Sequence, residues 1–162
     1  MANRNEREAL RGAEETFDLL AQVLTSGQWA KLLEAPLKRA AATGNRGLAH
    51  KLVGAGAKIG GALHAATRGG HGEVVSDMVD SGVAVSAKDN IGGVTPLHVA
   101  AQEGKPEMVQ LLLLKGGHKD ALNNDECTPL YLATSHGHVA AALVSLLPVQ
   151  TSIVGSADLR RR

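Results

Sequence analysis

The ten residues from Thr95 to Gly104, TPLHVAAQEG, constrain this 162-residue chain more than any other stretch. The Thr95 hydroxyl can accept a hydrogen bond from an unpaired amide in the first turn of a helix. Pro96 then stands at the first helical position, where a missing N–H costs nothing and a fixed φ helps. Gly104 can end the helix in the left-handed conformation that glycine adopts without penalty. The product is a helix of about two turns, too short to persist alone in water. It requires neighbours of its own kind, so copies of it belong elsewhere in the chain.

The copies are present. Thr128-Pro129-Leu130-Tyr131-Leu132-Ala133, followed by Gly137, repeats the pattern 33 positions on. Leu63-His64-Ala65-Ala66 with Gly70 matches Leu97-His98-Val99-Ala100 with Gly104 at a spacing of 34. Pro36-Leu37-Lys38-Arg39-Ala40 with Gly44 aligns too, but Gly44 precedes Gly70 by only 26. A second apolar pattern follows each copy. It runs Leu48, Ala49, Leu52, Val53 before Gly56; Val74, Val75, Met78, Val79 before Gly82; and Met108, Val109, Leu112, Leu113 before Gly116. Spacings of i, i+1, i+4 and i+5 describe one apolar face of a helix. The fourth copy drifts, with Ser145 where the third has Leu112 and with Pro148 to stop its helix.

A period of about 33, a TPLH-type short helix, a longer apolar helix, a glycine and then a polar loop resemble the ankyrin repeat family. The resemblance covers about residues 35 to 148. It implies an all-α fold, an ankyrin-type helical solenoid of stacked helix-turn-helix repeats with β-hairpin fingers. Four repeats are expected at about 35–60, 61–88, 89–122 and 123–148. Residues 1–34 are expected to form an N-terminal helical cap and 149–162 a disordered tail. Ala9, Leu10, Ala13, Phe17, Leu20 and Leu24 line one side of the cap's first helix, and the same pattern also suits a helix laid into a partner's groove.

Bulk properties exclude several classes of function. A net charge of +1 with 20% charged and 44% hydrophobic residues fits neither a general nucleic-acid binder nor a charged disordered chain. Phe17, Trp29 and Tyr131 are the three aromatic residues, too few for base-stacking platforms or ligand cages. The single cysteine, Cys127, allows no internal disulfide and fits a reducing, intracellular setting, cytoplasmic or nuclear. The charged N-terminus shows no secretory signal, and no apolar run reaches the twenty residues of a membrane span.

Residues 56 to 61 mark a departure from the repeat. Five positions separate Gly56 from Gly61, the counterpart of Thr95, where Gly82 to Thr95 takes 13 and Gly116 to Thr128 takes 12. One finger should therefore be missing, and Gly61-Ala62 in place of Thr-Pro should weaken the start of the following helix. Gly54, Gly56, Gly60 and Gly61 around Lys58 form a cluster resembling a phosphate loop. Their spacing misses the dinucleotide fingerprint by one position, and no Gly-Lys-Ser/Thr ending is present. A small nucleotide-using enzyme built on this loop is one rival reading. A piece of a longer repeat protein, exposing apolar surface at its last repeat, is another.

The seven histidines give no catalytic or metal signature. His64 and His98 hold the fourth position of the TPLH motif, where the resemblance implies a bond to the threonine and to the neighbouring loop. Tyr131 replaces them in the fourth copy. His71 and His138 follow helix-ending glycines, and the two-residue spacing of His136 and His138 would place them on different sides of a helix. Zinc needs several Cys and His ligands at set spacings, which one cysteine does not supply. Cys127 is expected to be exposed in a hairpin. No catalytic, cofactor or metal residue is expected.

The resemblance instead implies a protein–protein interaction module, an adaptor that binds a partner protein through hairpin tips and a concave ladder of short helices. The family's variable contact positions fall here on Asn90, Ile91, Val94, Gln102 and Glu103, and then on Asn124, Asp125, Cys127, Ser135 and His136. Arg68 and Thr43 hold such positions in the second and first repeats. The third repeat carries one extra residue between Asp89 and Thr95, which Gly92 and Gly93 can absorb as a bulge. The expected partner is another protein, with no nucleic acid and no membrane, and the chain is expected to be a monomer.

Overall fold

The computed structural model describes residues 30–146. Among the described residues eight helices follow one another from Glu34 on: α1 (Glu34–Ala42), α2 (Arg46–Gly54), α3 (Gly60–Gly69), α4 (Gly72–Asp80), α5 (Pro96–Gln102), α6 (Pro106–Leu114), α7 (Pro129–Ser135) and α8 (Val139–Leu146). The described residues are all-α and contain no strand. The cap expected over 1–34 lies almost wholly outside them, as does the tail over 149–162.

The chain divides into two compact units, Met1–Ser81 and Gly82–Arg162. In the first, α1 stacks on α3 and α2 on α4. In the second, α5 stacks on α7 and α6 on α8. Each helix thus buries one face against its own turn-mate and another against the equivalent helix one repeat away. The first unit closes over Leu37, Ala41, Leu52, Leu63, Val75 and Met78, and the second over Leu97, Ala101, Val109, Leu112 and Ala133. Leu130, which holds the repeat position of the buried Leu97, is half-buried, because no further described helix lies on the outer side of α7.

Glycine positions keep the repeat in phase. Gly44, Gly70, Gly104 and Gly137 follow the first helix of each pair with positive φ, and Gly56, Gly82 and Gly116 follow the second helix of the first three pairs in the same conformation. Histidine makes use of two of these turns. His71 Nε2 lies 2.9 Å from the Ala42 carbonyl, and its ring lies where a Cβ on Gly44 would come within 2.5 Å of it. His138 sits against Gly104 in the same way in the second unit.

The junction after α2 is as short as the spacing requires. Only Ala57, Lys58 and Ile59 connect the turn at Ala55-Gly56 to α3, and the Lys58 amide donates to the Ala30 carbonyl at 3.3 Å. Ile59, the residue before α3, offers no side-chain cap, as expected from the lost Thr-Pro start. Across this unit Arg46 on α2 forks onto the Asp77 carboxylate of α4, with the Nη2–Oδ1 distance at 2.9 Å, and reaches Glu73 at 3.3 Å. Arg46 is largely exposed, so the fork adds little beyond orientation.

The expected β-hairpin fingers are absent as such. The segments before α5 and α7 are built from turns: Asp89 N–H donates to the Val94 carbonyl in the first tip, and in the second Asn123 N–H donates to the Cys127 carbonyl and Glu126 N–H to the Asn123 carbonyl. Such isolated bonds hold a loop but do not propagate a ladder.

Candidate functional site

The site is built from the two tips of the second unit and the ends of the short helices beside them. Each tip is organised by one side chain at its base. Asp89 Oδ1 accepts from the Gly92 and Val94 amides, both at 2.9 Å. Asn123 Oδ1 accepts from the Asp125 and Cys127 amides at 3.0 and 2.8 Å. Both are turns in which a short polar side chain stands in for backbone. The first spans five positions and the second four, so the extra residue is taken up inside the Asp89 turn, as the glycines there allow.

The two tips are laced together. The Asn124 amide donates to the Gly92 carbonyl at 2.9 Å, its Nδ2 to the Ile91 carbonyl at 3.4 Å, and the His118 amide to Ser86 Oγ at 3.2 Å. A Cβ on Gly93 would overlap the Asn124 carboxamide, so glycine is needed there for packing as well as for its φ of +62°. Asn124, read from the sequence as a partner contact, is therefore also a staple between the tips. Nothing in the local sequence announces a bond between residues 33 apart.

His98 fastens the same region from beneath. It is fully buried, with Nδ1 2.8 Å from Thr95 Oγ1 and 3.2 Å from the Thr95 amide, while Nε2 lies 2.9 Å from the Cys127 carbonyl. A carbonyl only accepts, so Nε2 carries the proton and Nδ1 is the acceptor for the Thr95 amide. Burial pushes this imidazole below the ordinary histidine range, with the charge on Lys88 adding to it and bonds to the Cys127 and Ala121 backbone opposing it. His64, the equivalent in the first unit, is buried as well. Tyr131, the equivalent on α7, is 58% exposed.

The sequence-derived contact residues fall into two groups. Asn90, Gln102, Glu103, Asp125, Ser135 and His136 are exposed, and Ile91 is 91% exposed. Val94 and Cys127 are half-buried and engaged by the turn: the Val94 amide by Asp89, and the Cys127 amide and carbonyl by Asn123 and His98. Cys127 is thus less open than a hairpin position would be, and its Sγ lies 3.4 Å from the Asp125 carbonyl. Arg68 on α3 and Thr43 after α1 are exposed in the first unit.

One spacing rule gave the wrong geometry. His136 and His138 do not diverge: their rings stack with centroids 6.2 Å apart and planes within 10°. The two-residue rule holds inside a helix, whereas these residues flank Gly137, whose φ of +74° reverses the chain. His136 Nδ1 is anchored 2.8 Å from the Leu132 carbonyl. Among the described residues no three His, Cys, Asp or Glu side chains come together as metal ligands.

The glycines at 54–61 form no phosphate loop. Gly54 ends α2, while Gly60 and Gly61 lie within α3, so two helix ends stand where a strand and loop would be needed. No described helix is long and apolar enough to cross a membrane.

Comparison with known proteins agrees with this architecture. The family described as ankyrin repeats in three copies matches residues 37–121 and 63–153. Human "Protein phosphatase 1 regulatory subunit 27" is 37% identical over 68 residues, covering 42% of this chain and 44% of that protein. The fowlpox virus "Putative ankyrin repeat protein FPV219" is 34% identical over 85 residues, 52% of this chain and 19% of its own length. The rice "Probable E3 ubiquitin-protein ligase XBOS32" is 39% identical over 79 residues, 47% and 15% respectively. The chain spans less than half the length of each of these relatives.

Proposed function

Because this chain belongs to the ankyrin repeat family, we propose that it is a non-catalytic adaptor that binds a partner protein through its finger tips and the exposed ends of its short helices. The four helix pairs correspond to four repeats, at about 35–60, 61–88, 89–122 and 123–148. The observation that carries the reading is the preordered pair of tips. Asp89, Asn123 and Asn124 fix the backbone while Asn90, Ile91 and Asp125 stay open to solvent. A surface ordered before it binds loses less entropy on binding. Gln102, Glu103, Ser135 and His136, at the ends of α5 and α7, extend it, and Arg68 contributes separately from α3.

The relatives favour a protein as the ligand, since one is by name a regulatory subunit of a phosphatase and another by name a ubiquitin ligase. Val94 and Cys127 serve mainly to shape the tips. The lone free cysteine suits a reducing compartment inside the cell.

The test has two steps. Affinity capture from the native cell, read by mass spectrometry, names a partner, and calorimetry on the purified pair gives its affinity. Replacing Ile91, Gln102, Glu103 and Asp125 together by alanine should weaken binding at least about tenfold, or 1.4 kcal/mol, with the melting temperature little changed. Replacing Glu107 and Gln110 on α6 should leave affinity intact. Loss of binding with the α6 pair but not with the tip set would refute the assignment.

A further inference from the structure

The described residues of the first unit carry their surplus positive charge in one layer, that of α1, the short junction and α3. Lys31, Lys38 and Lys58 are exposed around the junction that stands in place of a finger. The Lys58 amide donates to the Ala30 carbonyl, which sets Lys58 beside Lys31. The Lys38 side chain lies along the start of α3, its Cδ 3.9 Å from where a Cβ on Gly61 would stand. Arg39 and Arg68 add two more cations, but each lies in the last turn of its helix, where the negative helix end favours a positive charge. The three lysines have no such account. Glu34, four positions before Lys38, is the one acid in this layer among the described residues, and it can offset one lysine at most. In the α2–α4 layer, by contrast, Arg46 is answered by Glu73 and Asp77.

The repeat register shows how this charge comes to be exposed. Lys38 precedes Gly44 by six positions, as His98 precedes Gly104. His98 is buried beneath the finger whose Cys127 carbonyl it holds, and a lysine could not be charged there without large cost. With the finger reduced to Ala57, Lys58 and Ile59, the same position opens to solvent and accepts a lysine. We propose that this lysine cluster binds an acidic segment of a partner protein, a run rich in aspartate and glutamate that lies where the missing finger would lie. Charge complementarity selects the occupant, since like charges gathered on one surface repel one another and attract an anionic chain. A polypeptide fits better than a nucleic acid, because residues 30–81 hold no Phe, Trp or Tyr on which a base could stack. The inference rests on the reading of the chain as a protein-binding module but uses none of the finger-tip residues, so the two can fail separately.

Fluorescence anisotropy of a labelled deca-glutamate peptide tests this on the full chain. Binding should saturate at about 20 mM salt and weaken at least about tenfold at about 150 mM. Lys38→Glu combined with Lys58→Glu should weaken the low-salt binding at least about tenfold. Lys51→Glu combined with Lys119→Glu makes the same change of net charge elsewhere and should alter binding by less than about twofold. All four side chains are exposed, and circular dichroism checks that each variant folds. Lys38→Gln with Lys58→Gln provides a second pair should the glutamates impair folding. Absence of saturable peptide binding, or equal losses with the two double variants, overturns the proposal. So does an oligo-dT strand of about ten nucleotides bound more tightly than the peptide through the same lysines. A peptide bound through these lysines upholds the site even where the tip variants leave partner affinity unchanged, an outcome that would overturn the tip assignment alone.

Discussion

Nε2 of His98 lies 2.9 Å from the carbonyl oxygen of Cys127, so one buried imidazole ties α5 to the finger that leads into α7. The same ring accepts from the Thr95 amide through Nδ1, closing a reciprocal cap on the first turn of α5. The Nδ1 bond requires the neutral ring, whereas the Nε2–H bond to the carbonyl would survive protonation. Protonating Nδ1 would set a donor against the Thr95 N–H and place a charge in the core.

The first prediction follows from that ring. Burial lowers the folded-state pKa of His98 below the 6.5 of a free imidazole. The unfolded chain therefore binds more protons below pH 6.5 than the folded one. The stabilisation is complete above about pH 6.5 and is lost as pH falls from there through the folded pKa. Urea denaturation at about pH 7.5 and about pH 5.5 should show lower stability at the acid value. His98→Gln should shrink that difference; an unchanged difference would mean other groups control it.

A second prediction compares two leucines at the same repeat position. Leu97 is 2% exposed and Leu130 only half-buried. Leu97→Ala should cost on the order of 2–5 kcal/mol, as core truncations do. Leu130→Ala should cost clearly less. Equal losses in urea melts would contradict the packing described for α7.

The tips give a third. Glu126 holds a φ of +57° at the position that Gly93 holds in the preceding tip with +62°. A left-handed non-glycine residue costs about 1–2 kcal/mol, and glycine returns part of any gain through the entropy of the unfolded chain. Glu126→Gly should thus stabilise by up to about 1 kcal/mol. Gly93→Ala should destabilise, because its Cβ strikes Asn124 and its φ is unfavourable. Melting temperatures moving the other way for this pair would rule out the shared turn geometry.

The fourth concerns local opening. α5 begins with the Thr95–His98 cap, whereas α3 begins at Ile59 with no side-chain cap. Orphan amides at an uncapped start open more readily. Hydrogen exchange followed by mass spectrometry should show the first turn of α3 exchanging faster than that of α5. Equal rates would show that the cap contributes nothing locally.

What the sequence revealed was whatever depends on local chemistry repeated at a period. Gly44, Gly70, Gly104 and Gly137 mark the helix stops because glycine alone takes that conformation without cost, and Thr95-Pro96 marks a start for equally local reasons. The shortened junction before α3 was visible by counting. What stayed hidden depends on where the chain goes next. The stacking of His136 on His138 arises from the reversal at Gly137, which helix spacing ignores. The Asn124 staple needs the two tips side by side, and the left-handed Glu126 has no mark of its own in the sequence.

The short junction before α3 also bears on the order in which the chain folds. Gly44 and Gly70 lie 26 positions apart and Gly104 and Gly137 lie 33 apart, so stacking the first two repeats closes a shorter loop. The entropic saving scales with the logarithm of loop length and comes to only about 0.2 kcal/mol. An N-terminal cap such as Thr95 is worth roughly 1 kcal/mol, several times more. Nucleation should therefore start at α5 and spread outward, with the tighter turn arriving late. Stopped-flow kinetics of Thr95→Ala would register this as slower folding with little change in unfolding.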